Sequence, residues 1–126
     1  MLELSNTIKV MVPTKDNDGK AIDYQSMVQG VTELVGGSTV YDAKGLWISN
    51  DKTYKDDNKL VELNTDNLIA YKVLAQVFRD IIDPLIHDDG QLAVWLQVNG
   101  TTFIIHKGTL EELVEVAKTT LPLGVY

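Results

Sequence analysis

Apolar and polar positions alternate along some stretches of this chain and recur every three or four residues along others. Residues 7–13 (TIKVMVP) alternate, with Ile8, Val10 and Val12 on one side and Lys9 and Met11 on the other, as in a half-buried strand. Pro13 ends that strand's pairing, and residues 14–20 (TKDNDGK) carry turn chemistry. Tyr24, Met27, Val28, Val31, Leu34 and Val35 then share one helical face, with Asp23 placed to cap the helix and Gly36-Gly37 to stop it. Residues 38–49 read as a second strand, with a bulge or bend expected at Ala43-Lys44-Gly45. Residues 50–58 (NDKTYKDDN) read as a polar hairpin loop, and residues 59–64 as a third strand.

The second half opens with the stripe Ile69, Val73, Leu74, Val77, Phe78, Ile81 and Ile82, which predicts a long helix from Asp66 to about Ile82. Thr65 or Asp66 caps it, Pro84 ends or kinks it, and residues 85–90 form a turn. Residues 91–99 alternate again, with Leu92, Val94, Leu96 and Val98 toward the helices and Ala93, Trp95 and Gln97 outward. Asn99-Gly100 is a type I′ hairpin signal, so residues 101–106 should return as a fifth strand. Thr109 and Glu112 form a capping box for a last helix over 110–119, and residues 121–126 have no pattern that assigns them.

Strand, helix, two strands, helix, strand is the βαββαβ plan of a ferredoxin-like sandwich. The expected fold class is therefore α+β, with an antiparallel sheet and an added C-terminal strand and short helix. The 126 residues suit one domain, with a core over 7–99 and an extension over 100–126. A sheet of this kind has helices on one side, so its other face meets water, a ligand or another subunit. Strand parity puts Lys9, Met11, Tyr41, Trp47, Glu62, Trp95 and Gln97 on that face. Threonines and charges would suit a wet face; two tryptophans, a tyrosine and a methionine point to an interface or a ligand surface. The plainer alternative is a misjudged bulge that turns Tyr41 or Trp47 into the core, since a slip of one residue reverses every side chain.

Charge narrows the partners. Eighteen acidic against 11 basic residues give a net charge of −7, and Arg79 is the one arginine, which disfavours non-specific binding to nucleic acid or an anionic membrane. Without cysteine there is no disulfide, thiolate chemistry or Cys-ligated zinc. No apolar run approaches a membrane span, and residues 1–5 do not resemble a signal peptide, so a cytoplasmic protein is expected.

Catalytic and metal signatures are weak. Asp16, Asp18 and Gly19 echo part of an EF-hand loop, but Met27 stands where its twelfth-position Glu belongs. Neither phosphate-binding glycine motif occurs. His87 sits beside Asp88 and Asp89, and His106 closes the fifth strand; neither has a nucleophile partner in a recognisable motif. No metal, no cofactor and no catalytic residue is assigned. Asp51, Asp56 and Asp57, with Glu111, Glu112 and Glu115, are ordinary solvated acids or, in a sharper reading, a decoy for a nucleic-acid-binding protein; Lys52, Lys55 and Lys59 interrupt the first group.

The runs 9–19 (KVMVPTKDNDG), 36–47 (GGSTVYDAKGLW), 61–66 (VELNTD) and 91–94 (QLAV) together resemble a family of small uncharacterised bacterial and phage proteins with a ferredoxin-like sandwich. The shared pattern is a VPT-D-x-G loop, a GG-x-TVY-x-A-x-G-x-W strand and a Q-x-A-V strand, spanning about 8–99. It carries no established activity. Many members have Glu after the last-strand Gln, where this chain has Leu92. The resemblance implies weight on Thr14, Lys15, Asp16, Tyr41, Lys44, Trp47 and Gln91, with amide donors of the first loop as an anion site.

The expectation is a non-enzymatic, phage- or mobile-element-encoded protein that forms a homodimer or higher oligomer. It sequesters a small molecule or a host protein through a face anchored by Met11, Tyr41, Trp47, Trp95 and Gln97. Thr14, Lys15, Asp16, Lys44 and Gln91 form a second, loop-borne candidate site. Two alternatives stand beside it: an acidic inhibitor of a host nucleic-acid-binding enzyme of the anti-CRISPR kind, and a dimeric ferredoxin-like enzyme using His106 inside a cavity.

Overall fold

A computed structural model describes residues 1–122. The elements, in chain order, are β1 (Asn6–Pro13), α1 (Tyr24–Val35), β2 (Thr39–Ser49), β3 (Lys52–Thr65), α2 (Ala70–Val77), a π-helical turn (Phe78–Ile82), α3 (Asp83–His87), β4 (Val94–Val98), β5 (Thr101–Ile105) and α4 (Leu110–Thr120). The five strands form one sheet in the order β2-β3-β1-β4-β5, and every pairing is antiparallel. Ile8, Val10, Val12, Val61, Leu63, Leu96 and Val98 are fully buried and share one apolar cluster with Val31, Val73, Leu74, Val77 and Ile81 of the helical layer. Alternation in the strands thus decides which face the helices cover.

Local chemistry explains several boundaries. The Asp23 side chain accepts the Ser26 N–H at the start of α1, and Gly36 ends the helix in the left-handed region at φ 88°. The helix after β3 begins later than the apolar stripe predicts, but Asp66 serves its entry: its Oδ1 accepts the N–H groups of Leu68 and Ile69. Asn99 (φ 50°) and Gly100 (φ 85°) make the β4–β5 turn. Thr109 accepts from Glu112 N–H at the start of α4.

Four expectations are overturned. β2 has no bulge: its register to β3 runs unbroken from Thr39↔Glu62 to Ser49↔Lys52. At Gly45 an added Cβ would sit 3.3 Å from Asn58 Nδ2, so the Asn58 side chain would have to give by a few tenths of an ångström. The expected polar loop is mostly strand, since Asn50 (φ 51°) and Asp51 (φ 63°) make a two-residue turn and β3 starts at Lys52. Cross-strand contacts replace a core in holding this ribbon: Trp47 stacks on Tyr54 at 4.3 Å, its Nε1 donates to Asp56 (2.8 Å), and Lys44 pairs with Asp57 (3.2 Å).

Third, of the two expectations for Pro84, an end or a kink, the helix does not end there, and the expected turn over 85–90 is helix as far as His87. The π turn makes this possible: Asp83 N–H bonds Phe78 O five residues back, and the wider turn accommodates the proline ring that a regular α-turn would set against a carbonyl. Fourth, β4 starts at Val94, and Leu92 is exposed rather than turned toward the helices. β5 likewise ends at Ile105, one residue before His106. Leu121 is buried; the rest of the unassigned tail, from residue 123, lies outside the described residues.

Candidate functional site

The face of the sheet away from the helices is built by cross-strand register. Lys9 lies opposite Glu62 on one side and Gln97 on the other; Met11 lies opposite Leu60, and Leu60 opposite Tyr41; Trp95 lies opposite Ile104. Met11, Leu60 and Trp95 are half-buried, while Tyr41 and Ile104 are exposed. A polar centre is set into this apolar surface. Glu62 is only 21% exposed and gathers three donors: Lys9 Nζ at 3.7 Å, Tyr41 OH at 3.4 Å and Asn64 Nδ2 at 3.1 Å. Thr7 Oγ1 donates to Asn64 Oδ1 (2.9 Å), and Gln97 Nε2 to Thr102 Oγ1 (3.0 Å).

The structure divides the expected aromatic surface in two. Met11, Tyr41, Trp95 and Gln97 lie on the body of the sheet. Trp47 lies six residues beyond Tyr41 on the ribbon, past Ala43 and Gly45, and stacks with Tyr54. Leu60, Tyr54 and Ile104 belong to these surfaces and were not singled out by the sequence. Strand parity could have found Leu60 and Ile104; Tyr54 was hidden because its segment read as loop.

The loop candidates are drawn apart and largely engaged in local structure. Thr14 donates both its N–H and its hydroxyl to Asp57 O (3.0 Å each), and Lys44 pairs with the Asp57 carboxylate. Asp16 Oδ1 accepts the N–H groups of Asp18 (2.9 Å) and Lys20 (2.8 Å), closing the loop on itself. Lys15 bridges to Ala21, and Gln91 N–H caps Leu85 O. Burial, with Asp88 and Asp16 nearby, raises the pKa of Asp89. Among the described residues no group of three His, Cys, Asp or Glu side chains is placed to hold a metal.

His106 is exposed and lies past the end of β5, so it does not stand in a cavity as the enzyme reading required. His87 Nε2 contacts Lys107 O (2.9 Å) and Asp83 (3.4 Å). Of the acidic residues on the ribbon, Asp56 and Asp57 are held by Trp47 and Lys44. On the helix side, Lys59 pairs with Asp42 and lies 5.4 Å from the Tyr24 ring; this hydrogen bond and charge lower the Asp42 pKa, and the bond to Asp42 raises that of Lys59. A groove of about 350 Å³ runs between α1 and β2, lined by Tyr24, Val28, Thr32, Ser38 and Val40 among others. Among the described residues no helix is long and apolar enough to cross a membrane.

No protein-family model matches the sequence, and no curated protein matches it. The fold is similar to that of a phage SAM lyase solved in complex with S-methyl-5'-thioadenosine, with a TM-score of 0.57 at 8% identity over 84% of this chain and 92% of that one. A phage SAM lyase in the apo state gives 0.56 at 10% identity over 84% and 94%. CutA1 from Oryza sativa gives 0.45 at 14% identity over 91% and 92%. At these identities the likeness to the lyases is one of fold: a small mixed α/β protein with a five-stranded antiparallel sheet.

Proposed function

We propose that this chain is a homo-oligomeric binding protein of the ferredoxin-like class, encoded by a phage or mobile element, that sequesters a small molecule on the open face of its sheet. The observation that carries this reading is Glu62, a carboxylate one step along the face from Leu60, Met11 and Tyr41 and served by Lys9, Tyr41 and Asn64, with Trp95 on the same face two strands away. A half-buried carboxyl group on an apolar sheet face gives orientation and specificity to a ligand whose flat body rests on the side chains around it. A nucleoside fits that description: its hydroxyls donate to the carboxylate, and its base stacks on Trp95 or Tyr41. Fold likeness to a phage enzyme solved with S-methyl-5'-thioadenosine makes that nucleoside the first ligand to try, and supports the phage origin.

The same likeness favours a second reading, in which SAM is consumed rather than held. The acidic-decoy reading has less support, because Asp56 and Asp57 are engaged within the ribbon.

Calorimetric titration of the wild type with S-methyl-5'-thioadenosine and with SAM, beside chromatography of the SAM samples, tests the proposal. Saturable binding that weakens at least about tenfold in Glu62→Gln, roughly 1.4 kcal/mol, and in Trp95→Glu supports it. Loss of SAM with time replaces sequestration by turnover. Absence of heat with both nucleosides overturns the ligand assignment.

A further inference from the structure

β2 is an edge strand, bonded to β3 on one side only. Past Pro13↔Asn58, β3 also loses β1, so the pairs from Lys44↔Asp57 to Ser49↔Lys52 project as a two-stranded ribbon, roughly 17 Å long at about 3.3 Å per residue. Such a ribbon is marginal alone in water. Yet its helix-side surface shows Leu46 at 68% and Ile48 at 76% exposure. An open, apolar edge of this length is a template for another strand.

We infer that the partner is a second copy of this chain, joined β2 to β2 in antiparallel register about Ala43, so that two five-stranded sheets become one of ten strands. The residues of 40–46 (VYDAKGL) are self-complementary in that register. Val40 meets Leu46 of the second copy, Tyr41 meets Gly45, Asp42 meets Lys44, and Ala43 meets its own equivalent. Each pair joins residues of the same parity, so helix-side chains meet helix-side chains.

Charge favours this register over its two neighbours of the same parity. Moving the axis to Lys44 sets two lysines opposite each other, and moving it to Asp42 sets two aspartates opposite each other; both are unfavourable. Odd shifts put the helix side of one copy against the open side of the other. About Ala43, Asp42 and Lys44, which pair within their own chain with Lys59 and Asp57, also face opposite charges across the two copies, so the in-chain pairs extend into one network.

The groove between α1 and β2 fits the same register. Ser38 and Val40 both line it. In this pairing Val40 stands opposite Leu46 of the second copy and Ser38 opposite Ile48, so the exposed apolar residues of one ribbon fill the groove of the other. This interface is an edge and leaves the open sheet face free; it deepens the oligomeric part of the proposal above without resting on its ligand.

The chain has no cysteine, so a single introduced thiol reports the contact unambiguously. Directly opposed residues of antiparallel strands have Cα atoms about 4.5–5.5 Å apart, within disulfide range. Mild oxidation of Ala43→Cys should yield a covalent dimer, Ser49→Cys should not, and light scattering should show a dimer that Leu46→Lys reduces to a folded monomer. A wild-type monomer overturns both this dimer and the oligomeric part of the proposed function. An oligomer that cross-links no better at Ala43→Cys than at Ser49→Cys overturns the β2 edge alone, as does a ring of three or more copies; sensitivity to Trp95→Glu would then assign assembly to the open face.

Discussion

Glu112 shows how much one side chain can do here. Its Oε1 accepts the N–H groups of Lys107 (2.8 Å) and Gly108 (2.6 Å), and its Oε2 that of His106 (3.3 Å), so one carboxylate holds the whole turn between β5 and α4. Burial alone would raise its pKa, but the backbone donors outweigh it, and the net shift is downward from 4.5. A depressed carboxylate pKa means the unfolded state takes up the proton first as pH falls. The stabilisation is therefore complete above about 4.5, the ordinary value, and is lost as pH drops through the lower native pKa. Glu112→Gln keeps an acceptor but no charge, and should cost about 1–2 kcal/mol at pH 7. Chemical denaturation at pH 7 and pH 3 checks this: the gap between wild type and variant should shrink at the lower pH.

At the scale of elements, sequence reasoning worked where a rule is local. The paired glycines after α1 give a sharp example. Gly36 has φ 88°, whereas Gly37 is not in the left-handed region, and a Cβ would meet nothing within 4 Å at either. Gly36→Ala should therefore destabilise by about 1–2 kcal/mol through backbone conformation alone, while Gly37→Ala should leave the thermal midpoint within error or raise it slightly. Equal losses at both positions would mean that the αL cap is not what ends the helix. Rules that depend on a neighbouring strand misled. Lys52 to Asn58 carries lysines, aspartates and an asparagine that resemble loop, yet these residues are strand because β2 supplies their partners. Pro84 reads as an end or a kink, and with a π turn before it the helix continues.

The whole molecule is tied together by a polar knot that no motif announces. Asn6 is 1% exposed; its Nδ2 donates to Asn67 Oδ1 (2.7 Å), and its Oδ1 accepts from Asn99 Nδ2 (2.9 Å). Asn99 in turn receives Thr7 N–H (2.9 Å) and donates to Thr120 O (3.1 Å). Four distant parts of the chain meet there: the start of β1, the exit of β3, the β4–β5 turn and the end of α4. Asn6→Leu removes the buried partner that Asn67 and Asn99 share; both of these are themselves exposed and can turn to water, so the cost is about 0.5–1.5 kcal/mol. Urea denaturation should show the loss as one cooperative transition at lower midpoint; an unchanged midpoint would mean the knot contributes nothing.

Local pattern was enough to read the succession of strands and helices, both ends of α1, the start of α4, the Asn99-Gly100 turn and the buried side of β1, because each depends on residues within a few positions of one another. It also placed Lys9, Met11, Tyr41, Glu62, Trp95 and Gln97 on one side of the sheet, since parity is a local property once a strand is recognised. It took the assembled sheet to show that Trp47 stands away from Tyr41 on a projecting ribbon, that Glu62 gathers Lys9, Tyr41 and Asn64, and that Asn6 joins four segments. Those outcomes follow from which strands become neighbours and in what register, and that choice is made by burial summed over the whole chain, which no short window contains.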